Sequence, residues 1–220
     1  LLLPNIAALS DQQCQQLRAF VERGGSLVAT FETSLYDEWG QRRDDLALGD
    51  LFGVQCLGTV EGPMQNSYLR IEPDPDTGEY HSILSGLENT QRIINGVYRL
   101  PVKDILSRSY SPLTLVPSYP DLPMEEVYPR QPQTDIPEVS LRERGKSRIV
   151  YFPWDVDRVF WEVMCVDHGI LLRNAVQWAT NEEPVVEVTG PGVLDVTVWR
   201  QAASMTVHLV NLTNPMMMKG

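Results

Sequence analysis

The first 32 residues alternate between apolar runs and an amphipathic segment, in the order of a strand, a helix and a second strand. Leu1 to Leu3 form an apolar run that Pro4 stops, which is typical of the end of a buried strand. Ser26 to Phe31 form a second, largely apolar run with β-branched members, which predicts a strand covered on both faces.

The segment between these runs carries the signals of a helix. Ser10 and Gln13 have the spacing of a capping box. One apolar stripe repeats every three or four residues, at Cys14, Leu17 and Val21. Gly24 and Gly25 are expected to end the helix. This strand–helix–strand unit predicts an α/β fold with a parallel sheet.

The middle of the chain predicts shorter elements. Residues 41–53 form an amphipathic piece with four side chains expected to face inward (Leu46, Leu48, Leu51 and Phe52). Seven of the 16 prolines lie within residues 112–137, which favours extended or polyproline II chain on the surface over a helix. Residues 139–141 and 148–152 are predicted as two strands across the turn at 145–147.

The end of the chain predicts a change of fold class. A helix is expected from Asp167, as its cap, to Ala179. The polar segment 181–184 then marks a boundary between a domain of residues 1–182 and a second of residues 183–220. Apolar alternation at 185–188, 193–199 and 205–210 is typical of antiparallel strands, which predicts the N-terminal part of a β-sandwich domain.

Charge and composition exclude several partners. The chain has 29 acidic and 18 basic residues, for a net charge of −11. Nucleic acids and anionic membranes bind clustered Lys and Arg, so neither is expected as a partner. The three widely spaced cysteines are expected to be reduced thiols. The chain starts inside a strand without Met, so we expect a piece cut from a longer polypeptide, from which any original targeting signal would be lost. A cytoplasmic location is favoured.

The turn after Phe31 is where a nucleophile would be expected if this fold were catalytic. Its sequence, Ala29 to Ser34, contains neither Gly-x-Cys-x-Gly nor Gly-x-Ser-x-Gly. Cys165 and His168 are three residues apart, but no second ligand pair accompanies them, as a metal site requires. No catalytic residue, metal or cofactor is therefore expected in this chain. His168 is interpreted as a helix-start residue that hydrogen-bonds to backbone.

Carboxylates and aromatic side chains occur together at two places, near residues 32–39 and 154–162. Paired carboxylates suit glycoside hydrolysis, and aromatic faces suit a sugar ring or a protein neighbour. Capping and packing under loops are the competing interpretation. The candidate ligand or interface residues are Glu32, Tyr36, Asp37, Trp39, Trp154, Asp155 and His168.

Two stretches resemble the middle, trimerisation domain of family 42 β-galactosidases and of related multidomain glycosyl hydrolases. The first is PNIAALSDQQCQQLRAFVERGGSLVATFETSLYDEWG, followed by LALGDLFGV; the second is GKSRIVYFPWDVDRVFWEVMCVDHGILLRNAVQWA. The resemblance covers about residues 1–180, and the tail resembles the β-domain that follows. It implies a flavodoxin-like, class I glutamine amidotransferase-like parallel-sheet sandwich that has lost its nucleophile.

The resemblance also implies a function. In such enzymes the catalytic glutamates lie on an N-terminal barrel, while the middle domain makes subunit contacts and borders the neighbouring active site. A homo-oligomer, a trimer by resemblance, and the carbohydrate substrate of the parent enzyme are the partners expected. The alternatives left open are a stand-alone amidotransferase-like hydrolase and a sugar- or small-ligand-binding module using Tyr36, Asp37 and Trp39.

Overall fold

The computed structural model describes residues 1–106, 110–190, 192 and 194–213. They fall into two compact units, Leu1–Glu182 and Glu183–Gly220. The helices are α1 (Asp11–Glu22), α2 (Gly49–Phe52), α3 (Val156–Val163) and α4 (Val166–Thr180). The strands are β1 (Leu2–Leu3), β2 (Leu27–Thr30), β3 (Val54–Cys56), β4 (Tyr68–Ile71), β5 (Arg92–Ile94), β6 (Val102–Asp104), β7 (Leu113–Val116), β8 (Ser140–Arg144), β9 (Ser147–Phe152), β10 (Leu194–Arg200) and β11 (Met205–Asn211). Short 3₁₀ turns occur at Ser82–Leu84 and Met124–Glu126.

The main sheet of the first unit has the strand order β1-β2-β9-β8. β1, β2 and β9 are parallel, and β8 runs antiparallel to β9. The helix α1 joins β1 to β2, and its capping box is formed: the Ser10 hydroxyl accepts from the Gln13 amide at 3.2 Å, and Gln13 Oε1 accepts from the Ser10 amide at 2.9 Å. The predicted strand–helix–strand unit, the 145–147 turn and the α/β class are therefore confirmed.

Both faces of this sheet are covered, as the apolar run at residues 26–31 predicted. Alternate side chains of β2 and β9 belong to two different apolar cores because successive residues of a strand point to opposite faces. One core joins Leu27 and Ile149 to α1, α2 and the residues 46–48. The other joins Val28 and Val150 to α4 and to a second, smaller sheet.

The smaller sheet includes a strand from the proline-rich segment, which the sequence did not predict. Its strand order is β5-β4-β7, all antiparallel, and a separate pair is formed by β3 and β6. The strand β7 lies inside the proline-rich segment, and all of its residues are buried rather than on the surface. Pro112 and Pro117 lie just outside the strand, where a missing backbone N–H does not interrupt the ladder. The prediction of surface chain throughout this segment was therefore wrong.

The helices near the end of the first unit also differ from the prediction. α3 was not predicted, and Asp155, Asp157 and Glu162 lie at its start or within it rather than in a loop. α4 begins one residue before Asp167, with Cys165 as its N-cap residue. Asp167 lies in the first turn, where a carboxylate interacts favourably with the helix dipole without capping a backbone amide. Among the described residues no helix combines the length and apolarity needed to cross a bilayer.

The second unit is a hairpin of β10 and β11. The predicted strand at 185–188 is not formed, and Val193 lies outside the described residues. The register pairs Val196 with Leu209 and Val198 with Val207, and residues opposite each other share a face. One face of the hairpin is thus apolar, and its side chains are exposed within this chain.

Candidate functional site

The turn after β2 shares one feature with a nucleophile elbow, a residue with positive φ directly after the strand, but no helix follows it. β2 ends at Thr30, and the next residue, Phe31, has φ +51°, a conformation that residues with a Cβ rarely adopt. The Phe31 amide donates to the Phe152 carbonyl at 2.7 Å, and the Tyr151 hydroxyl donates to the Phe31 carbonyl at 2.6 Å. These bonds hold the turn, and the side chain presented at it is a phenyl ring, which has no nucleophilic atom.

The hydroxyl groups next to this turn are committed to the backbone. Thr33 is fully buried, and its Oγ1 lies 2.7 Å from the Thr30 carbonyl oxygen and 3.1 Å from that of Leu3. Ser34 is also buried, with φ +73°, and its Oγ accepts from the Leu48 amide at 3.0 Å. These contacts fix the loop to β1 and to the start of α2.

Four of the candidate residues lie together in the loop that follows. The Tyr36 hydroxyl donates to Glu32 Oε1 at 3.0 Å. The pKa of Tyr36 is raised, mainly by burial and to a lesser extent by the Glu32 carboxylate. Asp37 Oδ1 accepts from the backbone amides of Trp39 at 2.9 Å and Gln41 at 2.8 Å, so its visible role is to shape the turn. Trp39 at the tip is 81% exposed. Trp39 is therefore the member of this group most exposed to solvent, since the other three side chains are half-buried.

The other three candidates form a separate, interior group. Trp154 is fully buried, donates from Nε1 to the Glu138 carbonyl at 3.0 Å, and meets the His168 ring edge-on with centroids 5.0 Å apart. His168 Nε2 lies 2.8 Å from the Ile94 carbonyl, which makes Nε2 the protonated nitrogen, and burial lowers the pKa of His168. Such a neutral, enclosed imidazole is a packing group, and Trp154 offers no face to a ligand.

Asp155 of this group joins two elements. Its Oδ1 accepts from the Tyr98 amide at 3.1 Å, and its Oδ2 pairs with Arg158 at 2.7 Å. Burial raises the pKa of Asp155, against the lowering effect of these partners. No hydrogen bond, ion pair or ring contact joins this group to the loop of residues 32–39 among the described residues. Within that same part of the chain, no cluster of three metal-binding side chains is found.

A buried ion-pair network was not indicated by the sequence patterns. The Arg99 guanidinium donates from Nε to Glu138 Oε1 at 2.7 Å and from Nη1 to Glu61 Oε2 at 2.6 Å. The side chains of Arg99 and Glu138 are 3% and 0% exposed. Glu138 and Arg99 are 39 residues apart, in segments without helical or strand periodicity. The sequence signal for each is therefore weak: a single charged residue among apolar neighbours. This network borders a cavity of about 1040 Å³.

Comparison with known proteins defines the class of fold. No protein-family model matches the chain, and no curated protein matches it significantly. Solved structures do match: the chain has the α/β fold of a domain found within glycoside hydrolases.

Three of these structures illustrate the match. A β-galactosidase from Rahnella sp. R3 has a TM-score of 0.66 at 15% identity, over 96% of this chain and 27% of that one. A GH42 β-galactosidase from G. stearothermophilus has a TM-score of 0.59 at 17% identity, over 96% and 26%. An α-L-fucosidase from Paenibacillus thiaminolyticus has a TM-score of 0.67 at 16% identity, over 96% and 30%. The chain thus spans between a quarter and a third of these enzymes.

Proposed function

We propose that this chain is a non-catalytic assembly and accessory region of a bacterial multidomain glycoside hydrolase of the β-galactosidase kind. The observation that carries the proposal is the fold, which matches about a quarter of each β-galactosidase chain over nearly all of this one. The proposed arrangement of the first unit is the flavodoxin-like, class I amidotransferase-like sandwich. The second unit, Glu183–Gly220, is proposed to be the start of a β-sandwich domain.

The proposal that the chain itself is non-catalytic is supported by the turn at Phe31. An amidotransferase-like hydrolase needs a thiol or hydroxyl at the residue that follows the central strand, within reach of a histidine. This chain has a phenyl ring there, and the buried His168 is bonded to the Ile94 carbonyl instead. Carbohydrate hydrolysis is therefore assigned to the remainder of the parent enzyme.

A subunit-contact role is supported by exposed apolar side chains at the junction of α3 and α4. Trp161 is 81%, Val163 65% and Val166 71% exposed. Three large apolar side chains are thus exposed within six residues of sequence, and large exposed apolar patches mark protein–protein contact sites. We propose that this surface, named the Trp161 surface, contacts a second copy of the chain in a homo-oligomer, a trimer by family resemblance, bordering the neighbouring active site.

Two measurements on the 220-residue chain test the proposal. The first assays hydrolysis of glutamine and of an aryl β-galactoside, and no turnover above the uncatalysed rate is expected. Robust turnover of either substrate would instead establish a stand-alone hydrolase.

The second measurement determines the molar mass in solution by light scattering. A mass of several chains is expected for the wild type, and Trp161→Ser is expected to lower it. Trp39→Ser is the matched control because Trp39 is also 81% exposed but lies on a different element. A monomeric wild type, or equal loss in both variants, argues against the Trp161 surface as the contact.

A sugar-binding role for the loop of residues 32–39 is the second candidate, because Trp39 is accessible beside the Glu32–Tyr36 hydrogen bond. Titration with a galactoside, followed by Trp fluorescence, tests it. If this loop binds the sugar, Trp39→Ala is expected to abolish the fluorescence response. A Trp39→Ala variant that keeps the full response would rule out sugar binding by this loop.

A further inference from the structure

A large cavity is lined by none of the seven candidate residues. It has a volume of about 1040 Å³ and is lined by the segments 57–61, 72–75, 99–104, 110–114 and 133–137, although not by every residue of each. We name it the Arg99 cavity. Ligand sites in proteins commonly occupy roughly 300–1000 Å³, so this cavity has room for a molecule of disaccharide size.

One wall of the Arg99 cavity is built on a desolvated ion-pair network. Arg99 is 2% exposed, and it holds Glu138 through Nε and Glu61 through Nη1. Replacing a buried network of this kind by well-packed apolar side chains is often neutral or stabilising, so the network is not explained by stability alone. Its effect is to fix the Glu61 carboxylate at the wall, where that side chain remains 52% exposed.

The network is also incompletely satisfied. Arg99 Nη2 and Glu138 Oε2 are buried and have no hydrogen-bond partner among the described residues. Leaving a buried polar group unpaired is unfavourable, and most such groups in native structures have a hydrogen-bond partner in the protein or in ordered water. The hydrogen-bonding capacity of this network is therefore not used up by the described residues.

The charge of the lining identifies the class of ligand. Carboxylates outnumber cations among the lining residues (Glu61, Glu72, Asp104 and Asp135 against Arg99 and Lys103). An anionic ligand would be repelled on balance, whereas a neutral hydroxyl group can donate to a carboxylate and accept from a cation. Four rigid proline rings line the same space and provide apolar contact area (Pro73, Pro75, Pro101 and Pro137).

We propose that the Arg99 cavity binds a neutral, hydroxyl-rich molecule of mono- or disaccharide size, with Glu61 accepting hydrogen bonds from its hydroxyl groups. Arg99 is a positioning residue, since it orients Glu61 from behind. This site is distinct from the loop that carries Trp39, and it does not depend on the accessory function proposed above.

Isothermal titration calorimetry of the 220-residue chain tests the proposal, with lactose and maltose as neutral probes and galacturonate as an anionic probe. Saturable binding of at least one disaccharide is expected, with galacturonate weaker. Glu61→Gln is expected to weaken binding of the disaccharide by about tenfold or more, because a charged acceptor is replaced by a neutral amide that also presents an NH₂ donor. Arg99 is not substituted, since its loss would leave Glu138 buried without a partner.

The matched control is Glu126→Gln. Glu126 is a similarly exposed carboxylate, at 51%, and pairs with Arg130 at 2.9 Å, but it does not line the cavity. The affinity of Glu126→Gln for the disaccharide is expected to equal that of the wild type. Circular dichroism of Glu61→Gln checks that the variant is folded, and a spectrum equal to that of the wild type is expected. Absence of binding by both disaccharides, tighter binding of galacturonate, or equal loss in Glu61→Gln and Glu126→Gln would each overturn the proposal.

Discussion

Burial in the fold changes the pH at which Glu138 ionises. Its side chain is fully buried, and burial raises the pKa of its carboxyl from an ordinary 4.5 to about 7, although Arg99 acts in the opposite direction. Between these two pH values the folded protein holds a proton that the unfolded chain has released. The stability contributed by neutral Glu138 is therefore fully present below pH 4.5 and is lost as the pH rises through about 7.

This linkage predicts how Glu138→Gln depends on pH. Glutamine cannot ionise, so the variant lacks the stability loss that wild type suffers as the pH rises. The free energy of unfolding of the variant minus that of wild type is therefore expected to increase by about 3 kcal/mol between about pH 4 and about pH 8. Urea denaturation of both proteins across this range measures the difference. Glu126→Gln, in a half-exposed pair, is expected to change stability by less than about 1 kcal/mol throughout. A pH-independent difference for Glu138→Gln contradicts the prediction.

The hydroxyl of Tyr151 supports the strained turn at Phe31. It donates to the Phe31 carbonyl at 2.6 Å, and the Tyr151 side chain is fully buried. Tyr151→Phe removes the donor and leaves a carbonyl unpaired, so a loss of about 1–3 kcal/mol is expected in the free energy of unfolding. Tyr80→Phe, at an exposed position, is the control and is expected to be neutral. Equal stability of Tyr151→Phe and wild type would show that the turn does not need this bond.

At the scale of elements, the helix α1 is specified by local signals. The capping box at Ser10 and Gln13 satisfies backbone amides that would otherwise lack partners at the helix start. Ser10→Ala is expected to cost about 1 kcal/mol and to lower the melting temperature by about 2–4 °C. Gln12→Ala, at an exposed position of the same helix, controls for the change to alanine. If the melting temperature of Ser10→Ala equals those of the wild type and of Gln12→Ala, the Ser10 cap does not stabilise the fold.

Elements with local signals were predictable from the sequence, and those that depend on distant partners were not. α1, β2 and the β8–β9 pair carry their caps, apolar runs and turn residues within a few positions. By contrast, β7 is a strand because it pairs with β4, more than 40 residues earlier, and its flanking prolines suggested irregular chain. The partnership of Arg99 with Glu138 likewise exists only after folding. The two candidate groups were each local in sequence, and the fold left them apart.

At the scale of the whole molecule, the buried side chains of the described residues all belong to Leu1–Glu182. The residues of β10 and β11 are all exposed, and an isolated two-stranded hairpin is marginally stable at best in water. A chain that ends at Glu182 is therefore expected to unfold cooperatively at the same urea midpoint as the full chain. A chain that ends at Asp167 is the control and is expected not to fold, because it removes the buried Leu171, Ala175 and Ala179 of α4. If the Glu182 truncation lowers the midpoint, the hairpin contributes stability that its exposed side chains do not account for.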